Sequence, residues 1–131
     1  MIVDLDHLNL RTVRLQEMID WYGAVLGMEP GPRPDFPFAG AWLYAGERAL
    51  VHLVEVAEEA PAAPPGGLRL EHGAFRGRGF AAFVEKLTNR GERMRISRVP
   101  GFPVVQVNVW DPDGNHLHID FDEAEVPPHL I

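Results

Sequence analysis

The sequence DHLNLR at residues 6–11 returns as EHGAFR at residues 71–76, 65 positions further along the chain. A second pair, VHL at residues 51–53 and LHI at residues 117–119, is separated by 66 positions. Both offsets are close to half of the 131-residue length. Such self-similarity predicts an internal repeat, and a repeat fixes the architecture of the chain.

Each copy is followed by an apolar pattern of helical period, at residues 14–26 and 80–90. Gly27 and Gly91 follow these segments, 64 positions apart, and predict helix C-caps because glycine readily adopts the left-handed conformation that ends helices. The other β-rich segments predict strands at residues 3–11, 41–44, 49–54, 68–76, 95–98, 104–110 and 116–121, and a proline-rich turn at residues 30–37.

The order strand, helix, strands therefore occurs twice and predicts an α+β fold of two repeated βαβββ modules. We expect the first module at residues 3–56 and the second at residues 68–122. Residues 57–67 are rich in Ala, Pro and Gly and predict a linker. Residues 123–131 are expected to form a loosely held tail.

Composition excludes several classes of function. The chain has 12 Lys and Arg against 19 Asp and Glu, a formal charge of −7, which disfavours binding to nucleic acid or to an anionic membrane. It has no cysteine, so any metal must be held by nitrogen and oxygen donors. No apolar run approaches the roughly 20 residues of a membrane span, and no signal peptide is visible at the first residues. A cytoplasmic location is the expectation.

Four of the six histidines fall at repeat-equivalent positions, His7 with His72 and His52 with His118. Within each half the two histidines are 45 and 46 residues apart, so each module offers one on its first strand and one on its last. If the modules pair about a pseudo-twofold axis, all four imidazoles converge. This constellation predicts a site for one divalent metal ion.

Strand alternation supports this hypothesis because side chains two residues apart share a face. His116, His118 and Asp120 fall on one face of the last strand, and the apolar residues between them fall on the other. By the same alternation Asp6 and Glu71 point away from the histidines that follow them, so we expect ordinary roles on the sheet surface for both carboxylates. His129, in the tail, is expected to be inert.

Several motifs of the chain resemble those of the glyoxalase/bleomycin-resistance/dioxygenase superfamily, the vicinal oxygen chelate fold. The similar segments are residues 5–7, Trp21-Tyr22 followed by residues 25–27, residues 70–76, and the DPDGN sequence at residues 111–115. They span residues 5–121, nearly the whole chain. The resemblance implies an open, cupped mixed sheet with helices outside, and commonly a homodimer. It also implies metal ligands on the first and last strands of each module, which map onto His7, His52, His72 and His118.

The chain differs from the superfamily pattern at two of these positions. Metal-dependent members usually carry Glu where this chain has His118, and glyoxalase I commonly carries Glu or Gln where it has His52. The mapped positions therefore supply no carboxylate for the proton transfer that isomerisation requires. Asp120, on the same strand face as His118, is the candidate catalytic base or an outer ligand of the metal. A glyoxalase-like lyase or isomerase and a ring-cleaving dioxygenase both stay open, as do Fe, Zn, Ni and Mn as the ion.

Further residues are candidates for a cleft that takes a small oxygenated substrate by bidentate chelation. These are Trp42 and Tyr44 on one strand, and Gln106, Asn108 and His116 on the last two strands. Arg11 and Arg76 could contact an anionic substrate. One alternative function is a non-catalytic small-molecule or antibiotic-binding protein of the resistance type that uses the same cleft. Another is a metal-bound regulatory or interaction module.

Overall fold

The computed structural model of the chain describes residues 1–58 and 69–130. The chain divides into two compact units, Met1–Leu68 and Arg69–Ile131, called unit 1 and unit 2 below. The predicted linker lies almost wholly outside the described residues. Within the part of the chain that is described, no helix is long and apolar enough to cross a membrane.

Unit 1 contains one helix and a four-stranded mixed sheet. Its elements are β1 (Leu8–Thr12), α1 (Leu15–Leu26), β2 (Glu29–Gly31), β3 (Gly40–Ala45) and β4 (Arg48–Glu55). The strands lie in the order β1-β4-β3-β2, with β1 parallel to β4 and the other pairs antiparallel. Helix α1 packs against the last three strands of the unit.

Unit 2 repeats this arrangement. Its elements are β5 (Gly73–Arg76), α2 (Phe80–Arg90), β6 (Met94–Arg98), β7 (Val104–Trp110) and β8 (His116–Asp122). The order β5-β8-β7-β6, again with a parallel first pair, matches that of unit 1 strand for strand. The predicted α+β class with two βαβββ repeats is confirmed.

Both helices end at the glycines that were predicted to be their C-caps. Gly27 and Gly91 are C-caps with φ of 72° and 69°, and their amide groups bond to carbonyls of the last helical turn. In unit 1 the buried side chains of α1 include Tyr22, which is fully shielded from solvent. In unit 2 the ring of Phe80 packs edge-on against Phe121, with centroids 5.6 Å apart. These contacts place each helix against the apolar face of its own sheet.

The first strand of each unit is shorter than predicted. Strand β1 begins at Leu8 and β5 begins at Gly73, so His7 and His72 lie just before their strands. Strand alternation therefore does not apply to these histidines or to the acidic residues that precede them. The turn predicted at residues 30–37 also includes the end of the short strand β2.

The tail is attached to unit 2, which corrects the expectation that it is loosely held. Residues Glu123–Glu125 and Pro128–Leu130 form short 3-10 turns. The Phe80 amide donates to Oε1 of Glu125 at 2.6 Å, so a tail carboxylate accepts at the N-terminus of α2. Val126 is only 5% exposed. The burial of Val126 and the hydrogen bond accepted by Glu125 hold this segment against the unit.

Candidate metal centre

The two predicted ligands of unit 1 lie in a stack of three rings. The centroids of His7 and His52 are 3.7 Å apart, and those of His52 and Trp42 are 3.9 Å apart, with interplanar angles of 12° and 13°. His52 and Trp42 are cross-strand partners, so the sheet register brings them together. The Nδ1 atom of His7 donates to Oδ2 of Asp6 at 2.6 Å.

The electrostatics of this stack favour a neutral His52. Burial between the neighbouring rings lowers the pKa of His52, and the charge of His7 lowers it further. The pKa of Asp6 is also lowered, chiefly by the hydrogen bond from His7. Asp6 therefore does not have the remote sheet-surface role expected for it, and holds the ring of His7 instead.

Tyr44, predicted to share a cleft wall with Trp42, has its hydroxyl group committed elsewhere. The Tyr44 hydroxyl donates to the carbonyl of Pro32 at 2.5 Å. A register shift between Leu43 and Tyr44 also interrupts the regular alternation of β3. A role for Tyr44 and Trp42 in substrate binding stays a prediction.

In unit 2 a carboxylate joins two histidines. Candidate donor atoms of Glu71, His72 and His116 all lie within 4.8 Å of one another. Nδ1 of His116 lies 3.0 Å from Oε1 and 3.2 Å from Oε2 of Glu71, and Nδ1 of His72 contacts Oε2 of the same carboxylate. We call these three residues the Glu71 cluster.

The two histidines of this cluster favour the ionised form of Glu71. Hydrogen bonds from His72, and then from His116, lower the pKa of Glu71, which keeps the carboxyl group ionised. An ionised carboxylate between two imidazoles supplies the hard oxygen and the borderline nitrogen donors that divalent first-row metals accept. The donor set of the Glu71 cluster therefore fits such an ion.

His118 lies next to the Glu71 cluster, with its ring centroid 4.5 Å from that of His72. Its side chain is 8% exposed, and its Nδ1 lies 2.5 Å from Oδ1 of Asp120. A carboxylate that accepts from Nδ1 fixes the imidazole tautomer and leaves the Nε2 lone pair for a ligand. Asp120, predicted as a catalytic base, thus orients His118 in this structure.

The amide residues of the predicted cleft are held within the sheet. Asn108 is 2% exposed, and its Nδ2 donates to the carbonyl of Arg95 at 3.0 Å and to Oγ of Ser97 at 3.3 Å. Its Oδ1 lies 2.8 Å from Nε2 of His116. Gln106 lies two residues before Asn108 along β7, and its Oε1 accepts from the Ser97 hydroxyl at 3.4 Å.

The DPDGN motif builds the turn that places His116. Asp111 is 4% exposed, and its Oδ1 accepts from the amides of Asp113 and Asn115 at 3.0 and 2.9 Å. Gly114 has φ of 83°, a conformation that favours glycine. The turn sets the register of β7 and β8, in which Trp110 is opposite His116.

The structure thus brings the predicted ligands together in two pairs, one in each unit. The convergence of all four histidines stays a prediction. Glu71 is the residue that sequence reasoning missed. Its signal was present in the repeat, since an acidic residue precedes the first histidine of both copies, but strand alternation was applied to residues that lie before the strand begins at Gly73.

Comparisons with known proteins identify the family. Residues 4–119 match the profile of the Glyoxalase/Bleomycin resistance protein/Dioxygenase superfamily. The chain belongs to this superfamily, as its motifs indicated. No match was found among curated proteins.

Solved structures of the same fold cover the chain almost completely. A glyoxalase family protein from Bacillus anthracis is 23% identical, with a TM-score of 0.74, and the match covers 93% of this chain and 97% of that one. A glyoxylase/bleomycin resistance protein/dioxygenase domain from Frankia sp. EAN1pec is 18% identical with a TM-score of 0.72, covering 100% of both. A genomically encoded fosfomycin resistance protein from Listeria monocytogenes is 14% identical, with a TM-score of 0.68 and coverage of 92% and 94%.

Proposed function

We propose that the chain is a metal-dependent enzyme that acts on a small oxygenated substrate, with one divalent ion bound in unit 2. The observation that carries the proposal is the Glu71 cluster, whose three candidate donors lie within 4.8 Å of one another. His118, held by Asp120 beside this cluster, is a further proposed ligand. Fe, Zn, Ni and Mn all suit such a donor set.

When bound, the ion would act as a Lewis acid towards a substrate that chelates it through two neighbouring oxygen atoms. The residues of the chain supply the rest. Glu71 contributes negative charge that offsets the cation, and the pKa of its carboxyl group is lowered, which keeps it ionised. His72 and His116 contribute neutral nitrogen donors, and three or four protein ligands leave room for a substrate in six-coordinate geometry.

The cluster also changes the argument about isomerisation. The four mapped positions lack a carboxylate, but Glu71 and Asp120 both lie in contact with a histidine of the site. Either carboxylate could move a proton between adjacent substrate atoms. Both lyase or isomerase chemistry and ring-cleaving dioxygenase chemistry are therefore within the proposal, and the identity of the ion discriminates between them.

A second candidate function is a non-catalytic small-molecule or antibiotic-binding protein of the resistance type. The observation that favours it is the pair of flat ring surfaces, Trp42 stacked on His52 and Trp110 stacked on His116 with centroids 5.1 Å apart. Such surfaces suit an aromatic ligand. Under either function we propose a cytoplasmic homodimer with no nucleic-acid or membrane partner.

The test is the metal content of untagged protein purified without chelator, measured by elemental analysis. We expect near-stoichiometric divalent metal in the unaltered chain and its loss in His72→Ala and His116→Ala. His7→Ala and His118→Ala test the wider four-histidine prediction, and loss in either adds that residue to the ligand set. Iron would direct the next assay to oxygen consumption, and nickel or zinc to isomerisation.

A protein that neither retains nor takes up any of these ions on titration would contradict the enzyme proposal. The metal-free binding protein would then be the better account. His129→Ala is the matched control, since this histidine is exposed in the tail and outside the cluster.

A further inference from the structure

We propose that Asn108 is a positioning residue that makes Nδ1, rather than Nε2, the metal-binding nitrogen of His116. This inference rests on the proposed metal function and adds to it the residue that determines which nitrogen of His116 binds the metal. An imidazole binds a metal through whichever nitrogen carries no proton, and a hydrogen bond to the other nitrogen decides which one that is.

The orientation of the Asn108 side-chain amide is fixed by its neighbours. The carbonyl oxygen of Arg95, 3.0 Å away, can only accept, so the amide atom that faces it must be the donor Nδ2. The Ser97 hydroxyl, 3.3 Å from the same nitrogen, supports this orientation. Because Asn108 is 2% exposed, water does not compete for these contacts. The amide oxygen Oδ1 therefore points at His116.

The proton on His116 follows from that orientation. Oδ1 of Asn108 has no hydrogen to donate, so Nε2 of His116, 2.8 Å away, must carry the proton. In a neutral imidazole the lone pair is then on Nδ1, which faces both oxygens of Glu71 at 3.0 and 3.2 Å. A lone pair and a carboxylate repel each other unless a cation lies between them. Nδ1 lies within hydrogen-bond distance of both carboxylate oxygens, and a metal ion held by Glu71 and His116 would replace this direct contact.

The neighbouring histidine on β8 is held in the opposite way. Nδ1 of His118 lies 2.5 Å from the Asp120 carboxylate, which can only accept, so this nitrogen carries a proton and leaves Nε2 for a ligand. Two histidines on one strand face thus offer different nitrogens. The Trp110 ring, stacked on His116 with an interplanar angle of 14°, holds the plane of the imidazole while Asn108 selects its tautomer.

The experiment uses the whole chain with ¹⁵N-labelled histidine, followed by long-range proton–nitrogen NMR during titration with Zn²⁺. We expect Nε2 of His116 to keep the chemical shift of a protonated nitrogen while Nδ1 moves to that of a zinc-bound nitrogen. Zinc on Nε2 of His116, or stoichiometric zinc binding that leaves both nitrogens unchanged, overturns the inference but not the proposed metal function. Failure to bind zinc overturns this inference, and failure to bind any of Fe, Zn, Ni and Mn overturns the proposed metal function as well.

Variants extend the test. Asn108→Leu keeps the side-chain size but removes the acceptor, so Nδ1 of His116 should gain the proton and zinc affinity should fall about 10- to 100-fold. Asn108→Asp retains an acceptor oxygen and should retain the protonated Nε2. Ser97→Ala removes one partner of the amide without touching His116, and should change neither the tautomer nor the affinity.

Unchanged His116 shifts and zinc affinity in Asn108→Leu would overturn the inference. Circular dichroism establishes that each variant is folded. If Asn108→Leu does not fold, the zinc titration of the unaltered chain decides the matter.

Discussion

The two units share a strand order and a histidine pair, yet their histidines are held by different chemistry. In unit 1 the rings of His7 and His52 lie face to face with Trp42, and one carboxylate contacts only the outer ring. In unit 2 the rings are tilted, with His72 and His118 at 44°. There the histidines do not stack on one another but contact carboxylates and an amide, and His116 in addition stacks on Trp110.

Two substitutions between the repeats account for this difference. Trp42 corresponds to Asn108, 66 positions on, so an indole that stacks is exchanged for an amide that hydrogen-bonds. Leu50 corresponds to His116, which adds a third imidazole beside His72 and His118. One repeated pattern can therefore carry a packed aromatic stack or a polar donor cluster, depending on a few side chains.

The largest effect is expected at Glu71, whose carboxylate contacts two histidines, whereas that of its counterpart Asp6 contacts one. Glu71→Gln keeps the size but removes the charge, and we expect zinc affinity to fall about 100-fold or more, because the variant loses an ionised oxygen donor. Isothermal titration or competition with a chromophoric chelator measures it. Asp6→Asn, the equivalent change in unit 1, is the control and should alter affinity by less than about threefold, as expected for an exposed pair. Equal losses of affinity in both variants would contradict the different roles of these two carboxylates.

The turn before β8 is the next point of difference. Asp111→Ala removes an almost buried carboxylate that accepts from two backbone amides and from the Asn115 side chain. We expect the free energy of unfolding to fall by about 2–4 kcal/mol. Urea denaturation measures it. In the corresponding turn of unit 1, Glu47→Ala should change stability by less than about 0.5 kcal/mol, since this side chain is exposed. A small effect of Asp111→Ala would mean that the hairpin forms without this carboxylate.

The tail offers a smaller effect on stability. Glu125→Ala removes the acceptor at the N-terminus of α2, and we expect a loss of about 1 kcal/mol in the free energy of unfolding. His129→Ala, in the same tail, should be neutral. Thermal or urea unfolding of both variants measures the difference, and indistinguishable transitions would show that the carboxylate does not stabilise α2.

The smallest expected effect is in the pH dependence of stability. The pKa of His52 in the folded chain is lowered below 6.5 by burial and by His7. Between the two values the unfolded chain binds more protons, so the free energy of unfolding must fall as the pH drops below 6.5 towards the folded pKa. His52→Phe keeps a flat ring in the stack and should reduce this slope. Urea denaturation at several pH values, with chelator present, tests it. A slope identical in both proteins would mean that His52 is not the responsible group.

Sequence patterns were sufficient for most of the fold. Helix α2 and strand β7 have the predicted bounds, and both C-cap glycines have the predicted role, because local periodicity and glycine conformation are properties of short segments. The starts of β1 and β5 were placed too early. Residues 1–7 have a β-like composition, but the neighbouring strand β4 pairs only from Leu8 onward. Pairing depends on a partner strand that the local sequence does not reveal.

The sequence by itself determined the repeat, the α+β class, the superfamily and the four histidines at equivalent positions, because each is a matter of residue type and spacing. Only the tertiary structure decided which atoms meet. It placed Glu71 in contact with His72 and His116 and Asp120 in contact with His118. It also directed the Asn108 amide oxygen towards His116. These contacts depend on side-chain rotamers and on hydrogen-bond partners up to 45 residues away, which residue spacing does not encode.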